Sequence, residues 1–142
     1  MAYQISKDKL KAKLEKMRFR GNVKGLIKEA EFRKNRTYNF EYKYVISSLS
    51  DIQSPRAVKQ LIAALNKKEL GDSIRGAAVI SLGKIGDSKA VEPIIKILDK
   101  KTETDDLHKA AAIALGKIGN PQAIESLVNC LKDKNSGVRN AA

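Results

Sequence analysis

Between residues 49 and 131 apolar and polar positions come in groups, and the grouping returns at a fixed interval. Leu49, Leu82 and Leu115 stand 33 residues apart and open three similar strings, LSDIQSPRAVKQLIAAL, LGKIGDSKAVEPIIKIL and LGKIGNPQAIESLVNCL. Apolar residues of matched size recur at Ile52/Ile85/Ile118, Ala57/Ala90/Ala123, Val58/Val91/Ile124, Leu61/Ile94/Leu127, Ile62/Ile95/Val128 and Leu65/Leu98/Leu131. Within each string the last five columns fall at i, i+1, i+4, i+5 and i+8. That is the stripe of an amphipathic helix and not the alternation of a strand.

A second helix precedes each string. It reads IRGAAVISLGKIG and LHKAAAIALGKIG in the later units and EYKYVISSLSDIQ, with larger side chains, in the first. The alanines permit close helix approach. Turn chemistry repeats with the same period: Ser54, Asp87 and Asn120 share a column suited to helix N-caps, and Pro55 and Pro121 follow at the first helical position. Gly86 and Gly119 suit the left-handed C-cap of the helix before them. Pro93 falls in the second turn of its predicted helix, where it should remove a backbone bond and kink the axis. Neither helix of a unit can bury its stripe alone, so the units must stack to share one core.

The segments RGAAVISLGKIGDSKAVEPIIKIL and KAAAIALGKIGNPQAIESLVNCL resemble the HEAT-like repeats of phycobilisome lyase subunits, over roughly residues 41–142. The expected fold class is therefore all-α, a right-handed α-solenoid of stacked antiparallel helix pairs. VKGLIKEA at 23–30 is a weaker copy of VKQLIAAL at 58–65. This divides the chain into residues 1–36, a basic N-terminal cap with a degenerate first repeat, and residues 37–142, the regular repeats. In the first part, residues 22–34 form the predicted second helix and residues 6–18 its partner. Leu10, Leu14 and Met17 line one face of that partner helix and Lys7, Lys9, Lys11, Lys13 and Lys16 mostly the others. A solenoid cap with a polar outer face explains this better than a membrane-surface helix, because Asp8 and Glu15 interrupt the basic face and the apolar stripe is short. At the other end VRNAA, at 138–142, aligns with IRGAA at 74–78. The reading there is a last repeat that is cut off, and either a continuing chain or end-to-end self-association.

The resemblance implies that second helices line a concave face whose exposed positions select a partner. Here those positions are Lys59/Glu92/Glu125, Gln60/Pro93/Ser126 and Ala63/Lys96/Asn129. They are mixed in charge and contain no aromatic side chain on which a base could stack, which favours a protein partner. The net charge of +12 adds an alternative. Residues 1–36 hold 12 Lys/Arg against four acidic residues, and Arg33, Lys34, Lys67, Lys68, Lys100, Lys101, Lys132 and Lys134 recur just after the second helices. Such an edge would offset helix C-terminal dipoles, or it would bind polyanions such as nucleic acid without regard to sequence.

Reactive chemistry has little to stand on. GDSIRGA at 71–77 has the glycine spacing of a phosphate loop but carries Ala77 where lysine is required, and GKIG at 83 and 116 is a helix end. Asp105 and Asp106 fit the first turn of a helix, where they complement its dipole. His108 is expected at the surface and Cys130, in an apolar column, as a buried thiol. One His and one Cys cannot supply a zinc site, so no metal or cofactor is expected. HEAT-like enzymes with His-Glu iron ligands or aromatic-lined base pockets find no counterpart in this chain. The expectation is a non-catalytic scaffold, cytoplasmic because no apolar run approaches the ~20 residues of a membrane span and no signal peptide precedes the cap.

Overall fold

The computed structural model describes residues 2–20, 22, 25, 26, 28, 29 and 39–142. The elements in chain order are α1 (Ala2–Phe19), α2 (Asn39–Leu49), α3 (Pro55–Asn66), α4 (Gly71–Ile85), α5 (Val91–Asp99), α6 (Asp105–Ile118), α7 (Ile124–Cys130) and α8 (Ser136–Ala141). No strand occurs among the described residues. Two rows result: α2, α4, α6 and α8 pack each on the next, while α3, α5 and α7 form the second row and lie against the first.

The predicted caps form. Ser54 accepts from the Arg56 N–H at 3.3 Å and Pro55 opens α3. Asp87 and Asn120 accept from the N–H groups of Lys89 and Gln122 at 2.8 and 2.9 Å. Gly86 and Gly119 end α4 and α6 with φ of 76° and 68°, and their N–H groups bond the carbonyls of Leu82 and Leu115. Only glycine takes that conformation without a Cβ penalty.

The structure differs at the start of two second helices. After Asp87 and Asn120 the chain makes a 3₁₀ turn, Ser88–Ala90 and Pro121–Ala123, and the α-helix begins only at Val91 and Ile124. Pro93 is therefore the third residue of α5, in the first turn, where the N–H it lacks has no intrahelical partner. The expected loss of a backbone bond in the second turn does not arise.

Leu49, Leu82 and Leu115 are buried, as are Ala57, Ala90 and Ala123, in one core continuous from α1 to α7. In α1 Leu10 and Leu14 are buried and Met17 packs against that core, while Lys9, Lys11, Lys13 and Lys16 are exposed. Of the helix expected over 22–34, Gly25, Leu26, Lys28 and Glu29 are described and helical; Asn22 is described and not helical, its side-chain oxygen accepting from the Gly25 N–H at 2.9 Å, and the rest lies outside the described residues. Leu26 is buried, and Glu29 is paired with Lys13. Asp51, between α2 and α3, ties α1 to the later helices: it binds Arg18 of α1 at 3.1 Å and Lys84 of α4 at 2.6 Å. No described helix is long and apolar enough to cross a membrane.

The apolar columns are not buried alike along the stack. Val58 and Val91 are buried, but their equivalent Ile124 is 60% exposed. Val128 and Leu131 are 46% and 55% exposed, whereas Ile62 and Ile95 are half-buried and Leu65 is fully buried. The residues are alike in kind, Val or Ile in two columns and Leu in the third; what differs is that α3 and α5 each contact a following second-row helix, while α7 has none among the described residues.

Helices α4 and α6 approach each other closely at Gly83. A Cβ built on Gly83 would lie 2.8 Å from the Cα and Cβ of Ala114, while one built on Gly116, its equivalent one repeat later, meets nothing within 4 Å. Gly83→Ala should therefore force α4 and α6 apart and destabilise the chain by about 1–3 kcal/mol. Gly116→Ala should instead stabilise it, by up to about 1 kcal/mol, through helix propensity. Urea unfolding of the two variants checks this, and equal effects would contradict the packing described.

Candidate binding surface

The second-row helices bury one side and present the other. Lys59 and Ala63 of α3, Glu92 and Lys96 of α5, and Glu125 and Asn129 of α7 are all exposed, each pair a helical turn apart. Gln60 and Pro93 are half-buried. Ser126 departs from the expected set, since it is buried and its hydroxyl lies 3.3 Å from an Asp99 carboxylate oxygen. Glu92 and Lys96 pair at 2.9 Å with both side chains largely in water, a geometry that contributes about 0.3–0.5 kcal/mol. Lys59, with Pro55, Val58, Ile62 and Lys89, lines a shallow apolar groove between α3 and the turn before α5. Asn129 belongs to a different groove at the edge of the stack, with Leu98, Lys101 and Lys132. The predicted residues thus share a register without converging on one cavity.

Residues that sequence reasoning missed lie where the second helices end. Arg75, just inside α4, is buried; its Nε donates to the Leu65 carbonyl at 2.9 Å. Its two terminal nitrogens grip Glu103 at 2.8 and 2.9 Å, a forked pair with both side chains buried. His108, the equivalent residue of α6, was expected at the surface. The structure corrects this: the ring is buried, with Nε2 3.0 Å from the Lys100 carbonyl oxygen. Arg139 of α8 repeats the arrangement, donating to the carbonyls of Asp133 and Lys134 at 2.7 and 2.9 Å. One column of first-row side chains therefore satisfies the carbonyls that each preceding second helix and its exit turn leave without partners. The signal was present in the alignment of Arg75, His108 and Arg139, but a polar residue in a repeat column does not say whether it faces water or a carbonyl.

This column redefines the lysine edge. The N–H groups of Lys67 and Lys100 bond the carbonyls of Ala64 and Ile97 at the ends of α3 and α5, so both are C-cap residues. Lys68, Lys100 and Lys101 are exposed and Lys67 half-buried; Arg33 and Lys34 lie outside the described residues. Glu103 sits among these cations. The Arg75 hydrogen bonds hold its carboxyl below the usual carboxylate range against the opposing effect of burial, and Lys68 and Lys100 add to the lowering. Asp51 is lowered in the same direction, first by its hydrogen bond to Lys84. Cys130 is buried as expected, and burial, with the charges of Asp133 and Asp99, pushes its thiol up. Asp105 and Asp106 open α6, as expected, and Asp105 accepts from Asn135 at 2.7 Å. Among the described residues no group of three or more His, Cys, Asp or Glu side chains is placed to hold a metal ion.

Helices stacked in two rows, each layer resting on its neighbours and repeating its caps, define a helical repeat protein. The family model for HEAT repeats matches residues 42–108 and again 72–142. The chain belongs to the HEAT-repeat family. No curated protein matches it.

The buried fork predicts a pH dependence. A carboxylate lowered by folding contributes stability that is complete above its unfolded value and is lost as pH falls through the folded value. Glu103→Gln should cost about 2–3 kcal/mol at neutral pH. The gap to the unsubstituted chain should close as pH drops through and below the ordinary carboxylate range. Urea midpoints of both proteins from neutral to acid pH provide the check, and a gap that is independent of pH would refute the assignment.

Proposed function

We propose that the chain is a non-catalytic scaffold that binds a protein partner through the exposed side of α3, α5 and α7. In this reading those helices line the concave face of a right-handed solenoid of antiparallel pairs, and the protein works in the cytoplasm. The observation that carries it is the register of Lys59/Glu92/Glu125 and Ala63/Lys96/Asn129, exposed at one interval on helices whose opposite sides hold the core. HEAT repeats are helical scaffolds for protein interaction, which supports the same reading. The surface offers lysine, glutamate and amide groups beside the apolar floor formed by Val58 and Ile62. A polypeptide of mixed charge with one or two apolar anchors matches that chemistry.

The alternative, nucleic-acid binding by the N-terminal region and the lysine edge, has weaker support. Two of its lysines, Lys68 and Lys100, act on the Glu103 carboxylate, and Lys67 and Lys100 cap helices.

The test is capture of protein from native extract after nuclease treatment, with folding verified by circular dichroism. Lys59→Glu, Lys96→Glu and Asn129→Arg together should reduce capture at least ~10-fold, the loss expected when interface anchors worth over 1.4 kcal/mol are removed. Glutamine at Lys67, Lys68, Lys100 and Lys101 should leave it unchanged. Capture that survives the triple substitution, or that vanishes with nuclease, would overturn the proposal.

A further inference from the structure

The groove between α3 and the turn before α5 joins an apolar floor to cations that the described chain does not neutralise. Pro55, Val58 and Ile62 form the floor, and Lys59 and Lys89, both exposed, stand on its rim. Neither ammonium group pairs with a carboxylate among the described residues, whereas Lys84 binds Asp51 and Lys96 binds Glu92. The carboxylates nearest Lys89 in sequence are engaged: Asp87 accepts from the Lys89 backbone N–H, and Glu92 holds Lys96.

The next joint along the stack serves as an internal control. Its equivalent positions are Ser88, Val91 and Ile95, with Glu92 and Gln122 in place of the two lysines. The same helix pair in the same register thus carries the opposite charge one layer later, so stacking does not require the combination at 55, 59 and 89. Its volume of about 350 Å³ stands at the low end of the ~300–1,000 Å³ of ligand pockets, which suits one or two aliphatic side chains of an extended segment. The lysines set the sign of whatever flanks those side chains, favouring carboxylates and repelling cations.

We propose that this groove seats an acidic segment of the partner polypeptide, with one aliphatic side chain on Pro55, Val58 and Ile62 and flanking carboxylates against Lys59 and Lys89. It deepens the scaffold reading, on which it rests: mixed charge describes the whole surface, while this joint selects acid. Exposed ion pairs are weak, so the isolated segment binds modestly and discrimination comes from repulsion of the wrong sign.

Fluorescence anisotropy with the full chain and a labelled Glu-Asp-Leu-Asp-Glu peptide tests this. The Kd should lie near ~100 µM at ~0.15 M salt. Glu-Asp-Gly-Asp-Glu, equal in charge but without the anchor, should bind at least ~5-fold more weakly, and Lys-Lys-Leu-Lys-Lys should not bind. Lys59→Glu and Lys89→Glu should each weaken the acidic leucine peptide about 3-fold and together about 10-fold. The double variant should bind the lysine peptide in its place. Both positions are exposed, so the helical circular dichroism should match the parent. Glutamine at Lys67, Lys68, Lys100 and Lys101 should leave peptide binding unchanged. Equal binding of the leucine and glycine peptides would mean that the net charge of +12 alone attracts them, and would remove the proposal. Indifference to the two charge reversals, or no binding at ~1 mM peptide, would remove it as well. Lys89 lies outside the positions assigned to the scaffold surface, which separates the two claims. If the acidic peptide fails while capture still depends on Lys59, Lys96 and Asn129, this proposal falls and the scaffold reading stands. If peptide binding depends on Lys89 while capture survives the triple substitution, the scaffold reading falls and the groove remains a site for acidic segments.

Discussion

The structure depends on one constraint: a pair of short amphipathic helices has too little apolar surface to bury by itself. α5 has nine residues and α7 seven, lengths at which an isolated helix is unstable in water. Each acquires its interior from the layer beside it. The buried series Leu49, Leu82 and Leu115 marks that shared interior, and Gly83 against Ala114 shows how near the first-row helices must come to close it. The small residues of α4 and α6 are the means of approach, since Ala77, Ala78, Ala111, Ala112 and Ala114 are all buried.

Apolar contact alone leaves the ends of the second helices with unpaired carbonyls, and the chain handles these with polar side chains from the next first-row helix. Arg75, His108 and Arg139 perform this role in successive layers. Each bond joins one layer's exit turn to the following layer's entry. At the front of the stack Asp51 serves a related purpose, holding α1 and α4 from one carboxylate. The layers are thus joined twice, by packing in the middle and by directed hydrogen bonds along the edge. The same edge positions carry many of the lysines, which explains part of their recurrence without a polyanion.

How much of this was legible in the sequence follows from the kind of interaction involved. The period, the caps at Ser54, Asp87 and Asn120, and the left-handed Gly86 and Gly119 are local consequences of residue type and could be read directly. The buried leucines could be read because burial on a helix leaves a regular stripe. His108 could not, because its partner, the Lys100 carbonyl, is set by tertiary placement and a histidine column looks the same in water or against a backbone oxygen. The grip of Arg75 on Glu103 spans 28 residues and crosses a layer, beyond any pattern within one helix. The 3₁₀ start that moves Pro93 into a first turn is a matter of one or two residues at a boundary. The unequal exposure of Val91 and Ile124 was invisible for a deeper reason: the two are alike as residues and differ only in what lies above them. The proposed binding positions were legible as positions, while their chemistry is ordinary for solvated helices and does not name a ligand.

The contact of Gly83 with Ala114 also bears on how such a chain can change over generations. The absent side chain at 83 leaves just the room that Ala114 fills, so neither site drifts freely: enlarging one is tolerated only when the other has already shrunk or the axes have shifted. Two sites 31 positions apart thereby form one heritable unit. Among descendants of this sequence, paired substitution would belong to the joints between layers.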